Sequence, residues 1–440
     1  MSETVSRQFA RFIADVTPAS LPPAIVTQAK GRILDSLSTA IAAKGLPVPT
    51  AAASVIGNNV GNATVIGQRG MVPAADAAFV NATLINGRTQ DDFLYKSHPG
   101  AVTLSSALAL AEEDDRCGAD LIAAVVVGYE LTSRAYLGGP SMLPGFRATG
   151  VAGAIGAAAA SAKIMGLGVE ETVNTLGLAA MFASGFGAGF LTGTMDVKLN
   201  VGMAARNGVT ASILARAGAT ASDRAFEGEA GYYNALSGTT ANAGAAIADL
   251  GNRFLIEDTI YKEYPVCIFV QTPVALAKAL IGRERLTPQQ IRSVQVTVSD
   301  ATYTNPGFRN VAPFANQLKA RVSARFCIAA ALTGKPIDDF AFYDNVEDAE
   351  VMAMAERIEL VLDEARDDQV SIAIETTGGG TVSIDGSEGE TLHPTEPKIV
   401  AKFRRIAGPV LGSGTDEVLH DILNLEKLPH VRSLTARLRG

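Results

Sequence analysis

The sequence predicts a mainly α-helical protein that carries a second, smaller α+β domain. Over about the first 265 residues, apolar side chains recur every three or four positions, which is typical of helices. Between about 290 and 385 they alternate with polar residues, which indicates half-exposed strands. Helical spacing returns in the tail. We therefore expect a large helical domain over residues 1–268, completed by 396–440, and an α+β domain over 269–395.

The helices are indicated by their ends as well as by their spacing. In PPAIVTQAKGRILDSLSTAIAAKG, Pro23 suits a first helical turn and Gly45 suits a C-terminal stop. An apolar face between them comprises Val26, Ala29, Ile33, Leu37, Ala40 and Ile41. Two later stretches, GVAGAIGAAAASAKIMGLG and NVGMAARNGVTASILARAGA, are apolar almost all round, so we expect buried central helices.

The second domain is predicted from three alternating stretches. These are SVQVTVS, RIELVLDE and QVSIAIETTGGGTVSI. Shorter helical patterns lie among them, namely TPVALAKALIG, SARFCIAAALTG and DAEVMAMAER. Strands interspersed with helices are expected to form a small sheet covered by helices.

Composition and motifs exclude several classes of function. The net charge of −8 and the absence of a basic patch argue against nucleic acid and anionic membrane surfaces, although a local Arg and Lys cluster could bind a small anion. The three cysteines are scattered, and there is no P-loop, GxGxxG or HExxH motif, so no cofactor or metal is predicted. Without an apolar secretory core at the N-terminus, the sequence predicts a cytoplasmic protein.

The stretch DDFLYKSHPG concentrates groups that exchange protons. His98 precedes a helix that we expect to start near Val102, and a helix N-terminus attracts anions. A histidine there could act as acid or base on a bound carboxylate, or it could simply cap or pack. Asp91 and Asp92 could orient His98, although adjacent acids are usually just solvated.

Two cations stand just before the apolar helices. Lys198, in GTMDVKLNVGMAARNG, could bind a carboxylate or act as a base if desolvated, or its ammonium could reach solvent. Arg147, in PGFRATGVAGAIGAAAA, could hold a carboxylate with two hydrogen bonds or form a structural ion pair.

A series of motifs, in order along nearly the whole chain, resembles the MmgE/PrpD family. They are INGRTQDD with HPGAVTLSSALALAEE, GYELTSRAY, GFRATGVAGAIGAAAASAKIMGLG, DVKLNVGMAARNGVTASILARAGA, FEGEAGYYNAL, YKEYPVCIFVQTPVALAKAL, ARVSARFCIAAALTGK and KIVAKFRRIAG. The resemblance implies a large helical domain joined to a smaller α+β domain, an active site between them, a homodimer, and an enzyme for small polycarboxylates that needs no cofactor.

The resemblance also implies roles for individual residues. His98, Asp91, Asp92 and Lys198 fall on active-site positions, and we expect them to be catalytic. Substrate binding is expected of Arg147, Lys96, Tyr95, Gln271 and Arg88. Arg147 and Gln271 depart from the family pattern, because many of its lyases have histidine at these two positions.

Three functions follow from this pattern. The first is a lyase of the 2-methylcitrate dehydratase or cis-aconitate decarboxylase type, which begins by removing a proton next to a carboxylate. The absence of the two histidines favours instead an epimerase of the iminodisuccinate type, which returns the proton to the other face. The third is a carboxylate-binding paralogue without activity, against which the presence of both His98 and Lys198 argues.

Overall fold

A computed structural model describes residues 3–57, 60–140, 142–143 and 145–440. The chain forms two compact units. The first comprises residues 1–259 together with 396–440, and the second comprises 260–395. The predicted fold class, a large helical domain with a smaller α+β domain, is confirmed.

The first unit is built mainly from helices. Its elements before residue 260 are α1 (Val5–Asp15), α2 (Pro23–Ala42), α3 (Pro47–Ala53), β1 (Ala63–Thr64), β2 (Met71–Val72), α4 (Ala74–Gly87), α5 (Pro99–Glu113), α6 (Gly118–Leu137), α7 (Ala148–Met165), α8 (Val169–Phe182), α9 (Ala188–Thr192), α10 (Asp196–Arg216) and α11 (Tyr232–Ser237). Two 3₁₀ turns follow, at Ala243–Ala246 and Leu255–Asp258. The short antiparallel pair β1–β2 was not predicted, because two-residue strands are too short to show alternation.

Helix α7 lies at the centre of this unit and packs against α5, α6, α8 and α10. It is long and apolar enough to cross a membrane, yet every residue except Lys163 is buried, which makes it a core helix. Small residues let its neighbours approach closely. A Cβ on Gly156 would lie 1.8 Å from Thr132 Oγ1, and one on Gly208 of α10 would lie 2.5 Å from the Ala157 side chain.

The second unit contains a four-stranded sheet and its covering helices. Its elements are α12 (Ile268–Glu284), β3 (Ile291–Val298), α13 (Asp300–Tyr303), α14 (Gln317–Arg321), α15 (Ala324–Leu332), α16 (Ala349–Ala355), β4 (Ile358–Leu362), β5 (Gln369–Thr376), β6 (Thr381–Ser387) and α17 (Glu388–Leu392), with 3₁₀ turns at Pro288–Gln290 and Phe340–Asp344. The strand order is β4-β3-β5-β6, with β3 parallel to β4 and the other pairs antiparallel.

The alternation in the strands has the predicted consequence. Val294, Val296 and Val298 of β3 and Ile372 and Ile374 of β5 are buried, and α12 and α15 pack together and against this sheet. Period-two spacing thus places one face of the strands in the core and leaves the other polar.

The chain returns to the first unit after residue 395. This segment forms α18 (Glu396–Ile406), α19 (Gly408–Leu411), α20 (Thr415–Leu423) and α21 (Val431–Arg437), with 3₁₀ turns at Gly412–Gly414 and Leu425–Lys427. Helix α18 packs on α2. Its buried Lys402 donates to Asp35 Oδ1 at 2.6 Å and to the Gln90 carbonyl at 2.9 Å, next to the DDFLYKSHPG stretch.

Candidate active site

Four helix ends of the first unit converge around DDFLYKSHPG. His98 is the N-cap residue of α5, which begins at Pro99 and not near Val102 as expected, since Pro99 suits the first helical turn. Arg147 is the N-cap residue of α7, and Lys198 lies in the first turn of α10. Asn86 belongs to the last turn of α4. Hydrogen bonds connect the starts of α7 and α10 with each other, and they connect the start of α10 with the end of α4. Asp91 connects the end of α4 with His98.

The ring of His98 is held on one side by two acceptors. Its Nδ1 lies 3.1 Å from Asp91 Oδ2 and 2.8 Å from the Asp92 carbonyl oxygen. Because a carboxylate and a carbonyl can only accept, Nδ1 carries the hydrogen, and Nε2 is the nitrogen that can take a proton. Phe93 packs edge-on against the ring, and His98 is 8% exposed. The arrangement orients a histidine for acid–base chemistry.

Asp92 is buried and ties the loop to two helices. Its Oδ1 accepts from the Gly100 N–H of α5 at 3.1 Å, and its Oδ2 accepts from the Tyr129 hydroxyl of α6. Burial raises the pKa of Asp92 to about 7, against the lowering effect of the Tyr129 hydrogen bond. Asp92 therefore positions the start of α5 and the carbonyl that holds His98.

Lys198 is connected to His98 through two residues, Asn86 and Asp91. Its Nζ donates to the Asn86 carbonyl at 2.6 Å and to Thr89 Oγ1 at 2.9 Å. The Asn86 amide in turn donates to Asp91 Oδ2 at 2.8 Å, the same oxygen that faces His98. The structure thus brings the four predicted catalytic residues into one connected group.

Arg147 is a buried cation that forms no ion pair with any residue the structure describes. It is 6% exposed, one guanidinium N–H donates to the Val197 carbonyl, and the group lies 5.2 Å from the centre of the Phe190 ring. Among the described residues, no carboxylate lies within ion-pair distance of Arg147. Burial lowers its pKa to about 10, and the more distant charges of Asp91 and Asp196 oppose that change. The side chain therefore stays charged at neutral pH, which is costly without an anion.

A cavity of about 290 Å³ opens beside Arg147. Its lining residues are Lys96, Tyr136, Pro140, Met142, Leu143, Gly145, Phe146, Arg147, Ala148, Gly187 and Phe190. Arg147 and Ala148 mark the N-terminus of the 18-residue helix α7, whose dipole also favours an anion. The volume suits a small molecule.

Lys96 reaches the cavity through a tight turn. Leu94 and Ser97 exchange both backbone hydrogen bonds at 2.9 Å, and the two central residues have positive φ, 45° at Tyr95 and 60° at Lys96. This is an unfavourable backbone for residues other than Gly, Asn and Asp, and such backbone is concentrated at functional sites. The turn leaves Lys96 exposed at the cavity, whereas the Tyr95 hydroxyl donates to Asp258 at 2.9 Å and does not line it.

Arg88 and Gln271, both predicted to bind substrate, make hydrogen bonds within the protein. Arg88 is buried at the end of α4, where it donates to Gln90 Oε1 at 3.1 Å and to the Ala42 carbonyl at 3.4 Å. Gln271 lies in the second unit, and its amide accepts from Tyr264 N and donates to the Tyr264 and Val266 carbonyls. These contacts fix local backbone and give no support to substrate binding by Arg88 or Gln271.

Sequence analysis missed the partners that position the site. Tyr129 is the main one, and a signal existed, because a tyrosine inside the apolar run LIAAVVVGYEL needs a partner for its hydroxyl. Asn86 was also missed, and so were the apolar residues that line the cavity, such as Leu143, Phe146 and Phe190. In the described parts of the chain, no group of His, Cys, Asp and Glu side chains has the arrangement of a metal site.

Lys96 and Arg147 line the cavity, and Lys96 lies two residues before His98, whose ring a carboxylate orients. Groups of these kinds are what enzymes use to move protons on small acids. Comparison with known proteins then gives the family. The MmgE/PrpD N-terminal domain model matches residues 7–243, and the MmgE/PrpD C-terminal domain model matches residues 264–425. The chain belongs to the MmgE/PrpD family, which confirms the resemblance seen in the sequence motifs.

Curated relatives cover the whole chain at low identity. The human cis-aconitate decarboxylase is 25% identical over 470 aligned residues, with 100% of this chain and 95% of the relative covered. A cis-aconitate decarboxylase of Aspergillus terreus is 26% identical over 469 residues, with 98% and 95% covered. A cis-aconitate decarboxylase-like protein of Aspergillus oryzae, oryM, is 28% identical over 243 residues and matches about half of each chain.

Proposed function

We propose that this protein is a cofactor-independent enzyme that makes or breaks a carbon–hydrogen bond next to a carboxylate of a small di- or tricarboxylate. The observation that carries the proposal is the buried, unpaired charge of Arg147 at a cavity that Lys96 also lines. Such a charge is costly in the empty enzyme and is neutralised when a carboxylate binds. The names of the relatives, which refer to a tricarboxylate, support the same substrate class.

The chemistry assigned to each residue follows from its surroundings. Arg147, Lys96 and the N-terminus of α7 hold carboxylates and stabilise the negative charge that develops on their oxygens. His98 exchanges the proton at carbon through Nε2, because Asp91 and the Asp92 carbonyl occupy Nδ1. Lys198 is the second group that can carry a proton on this network, and its bonds to Asn86 and Thr89 fix its place.

A lyase is the first candidate reaction. In a decarboxylation, the bond from carbon to the departing carboxylate breaks, its electron pair stays on carbon, and protonated His98 supplies the proton while carbon dioxide leaves. In a dehydration, His98 removes the proton, the electron pair forms the double bond, and hydroxide leaves. In both routes negative charge develops on a neighbouring carboxylate, and Arg147 and Lys96 stabilise that charge.

An epimerase is the second candidate, and Arg147 is the residue that favours it. Arginine cannot donate a proton in a protein, so it cannot replace a catalytic histidine in acid–base chemistry. An epimerase needs only to remove a proton from one face of the reacting carbon and to return a proton to the other face. His98 and Lys198 are two separate groups that could carry out these two transfers. A homodimer and a cytoplasmic location, both expected from the sequence, remain part of this proposal.

One experiment separates these outcomes. The purified enzyme is incubated in deuterated water with cis-aconitate, citrate, 2-methylcitrate and chiral dicarboxylates, and the products are followed by proton NMR. A lyase gives a new alkene or a decarboxylated product, whereas an epimerase incorporates deuterium without changing the carbon skeleton. His98→Ala should stop either reaction, and His420→Ala, on the exposed part of α20, should not. Binding without turnover would indicate a non-catalytic paralogue, and no binding would refute the proposal.

A further inference from the structure

The cavity beside Arg147 combines a small amount of positive charge with a large apolar wall. Among its described lining residues, only Lys96 and Arg147 are charged. The Tyr136 hydroxyl is directed to the Pro140 carbonyl at 3.4 Å. The rest of the lining consists of Phe146, Phe190, Leu143, Met142 and small or cyclic residues. A bound acid therefore meets two cations and, over the rest of the described lining, mostly hydrocarbon.

The apolar wall is exposed in the free protein. Leu143 is 47% exposed and Phe190 is 46% exposed, although both border a cavity. Phe190 is held by its contact with Arg147, and Leu143 is held by the bond from its backbone N–H to the Leu236 carbonyl at 2.8 Å. When the hydrocarbon part of a ligand covers such fixed apolar surface, binding becomes more favourable, because that surface is removed from water.

The charges around this cavity disfavour the binding of a third carboxylate there. Asp91 and Asp196 act electrostatically on Arg147, so they reduce the positive potential that a ligand meets there. Two carboxylates can be matched, one by Lys96 and one by Arg147 together with the N-terminus of α7. A third would lie against Phe146, Phe190 or Leu143 and lose its hydration.

We propose that this site selects a dicarboxylate whose third substituent is a hydrocarbon arm, and that it disfavours a compact tricarboxylate. This inference rests on the proposed function, because it assumes that Arg147 and Lys96 bind carboxylates. Each methylene that the wall covers should tighten binding roughly fourfold, which is about 0.8 kcal/mol.

The test compares acids of similar size and different charge. Succinate, 2-methylsuccinate, 2-propylsuccinate and tricarballylate are titrated into the full-length protein by calorimetry. The last two differ only by exchange of a carboxylate for an ethyl group on the same arm. We expect the Kd to fall from succinate to 2-propylsuccinate, and tricarballylate to bind at least about tenfold more weakly than 2-propylsuccinate, which is about 1.4 kcal/mol.

A variant with an added charge gives an independent check. Leu143→Lys adds a cation to the wall and should shift the preference towards tricarballylate. Val410→Lys is the matched control, because Val410 is also 47% exposed but does not line the cavity. If tricarballylate binds wild type as tightly as 2-propylsuccinate, the inference is wrong and the proposed function stands. If none of the four acids binds, the proposed function fails as well.

Discussion

Replacing Arg147 by methionine should weaken substrate binding without weakening the fold. Burial lowers the pKa of Arg147 to about 10, which corresponds to about 3 kcal/mol against the charged form. Its hydrogen bond to the Val197 carbonyl stabilises the charged form by about 1.5–3 kcal/mol. The difference lies between zero and about 1.5 kcal/mol, so Arg147→Met should change the free energy of unfolding by no more than about 1.5 kcal/mol.

The effect on binding should be much larger. A charge-assisted hydrogen bond to a carboxylate contributes about 1.5–3 kcal/mol, so the KM or Kd for the acid should rise by about tenfold to 150-fold. Arg147→His should also weaken binding and should not speed the native reaction, because neutral imidazole does not replace a guanidinium. The assay is calorimetric titration of the acid, together with kcat and KM for the reaction found in deuterated water.

Arg134→Met is the matched control for the Arg147 variant. Arg134 is also a buried arginine of the first unit, but it pairs with Glu130 at 2.9 Å and donates to the Ala248 carbonyl at 2.6 Å. Its loss should cost about 3–5 kcal/mol of stability, because Glu130 would remain buried without its partner. If Arg147→Met unfolds as readily as Arg134→Met, or binds the acid like wild type, Arg147 has a structural role and the interpretation is wrong.

Three further predictions concern the same unit. His98→Ala should lower kcat by about 100- to 10,000-fold with little change in Tm, and near-normal turnover would remove His98 from the mechanism. Folded Asp92 keeps its proton up to about pH 7, whereas unfolded chains lose it near pH 4, so stability should fall as the pH rises between these values. In Asp92→Asn this loss should be absent, and parallel Tm profiles for the two proteins would contradict the assignment. Light scattering should give a dimer, since α10 exposes Met203, Ile213 and Leu214, and a monomer at micromolar concentration would refute this prediction.

Local patterns in the sequence were enough to predict the main helices and strands and to place Arg147 and Lys198 near helix starts. Arg147 and Lys198 were singled out because each precedes a helix that is apolar all round, and both are found at helix starts that meet around His98. Period-two alternation likewise located the strands of the second unit. These predictions succeed because helix ends and buried faces depend on neighbouring residues, which the sequence displays directly.

The partners of buried polar groups were not predictable in the same way. Nothing near Asp92 indicates that the Tyr129 hydroxyl would donate to it. Nothing near Arg88 or Gln271 indicates which groups of the protein their side chains contact. A hydrogen bond depends on which atoms the completed fold brings within about 3 Å, and spacing along the chain does not contain that information. The apolar wall of the cavity escaped notice for the same reason, since Leu143 and Phe190 come from separate segments.

The hydrogen bonds of Lys402 make the site one of the last parts of the protein to be completed during synthesis. The lysine lies 367 residues after Asp35 and 312 residues after Gln90, so a growing chain contains both acceptors long before it contains the donor. Until that helix has left the ribosome, Asp35 lacks the ammonium group of Lys402 and the Gln90 carbonyl lacks this donor. Nascent or prematurely terminated chains should therefore be inactive, and the enzyme acquires its reactivity only when the polypeptide is nearly whole.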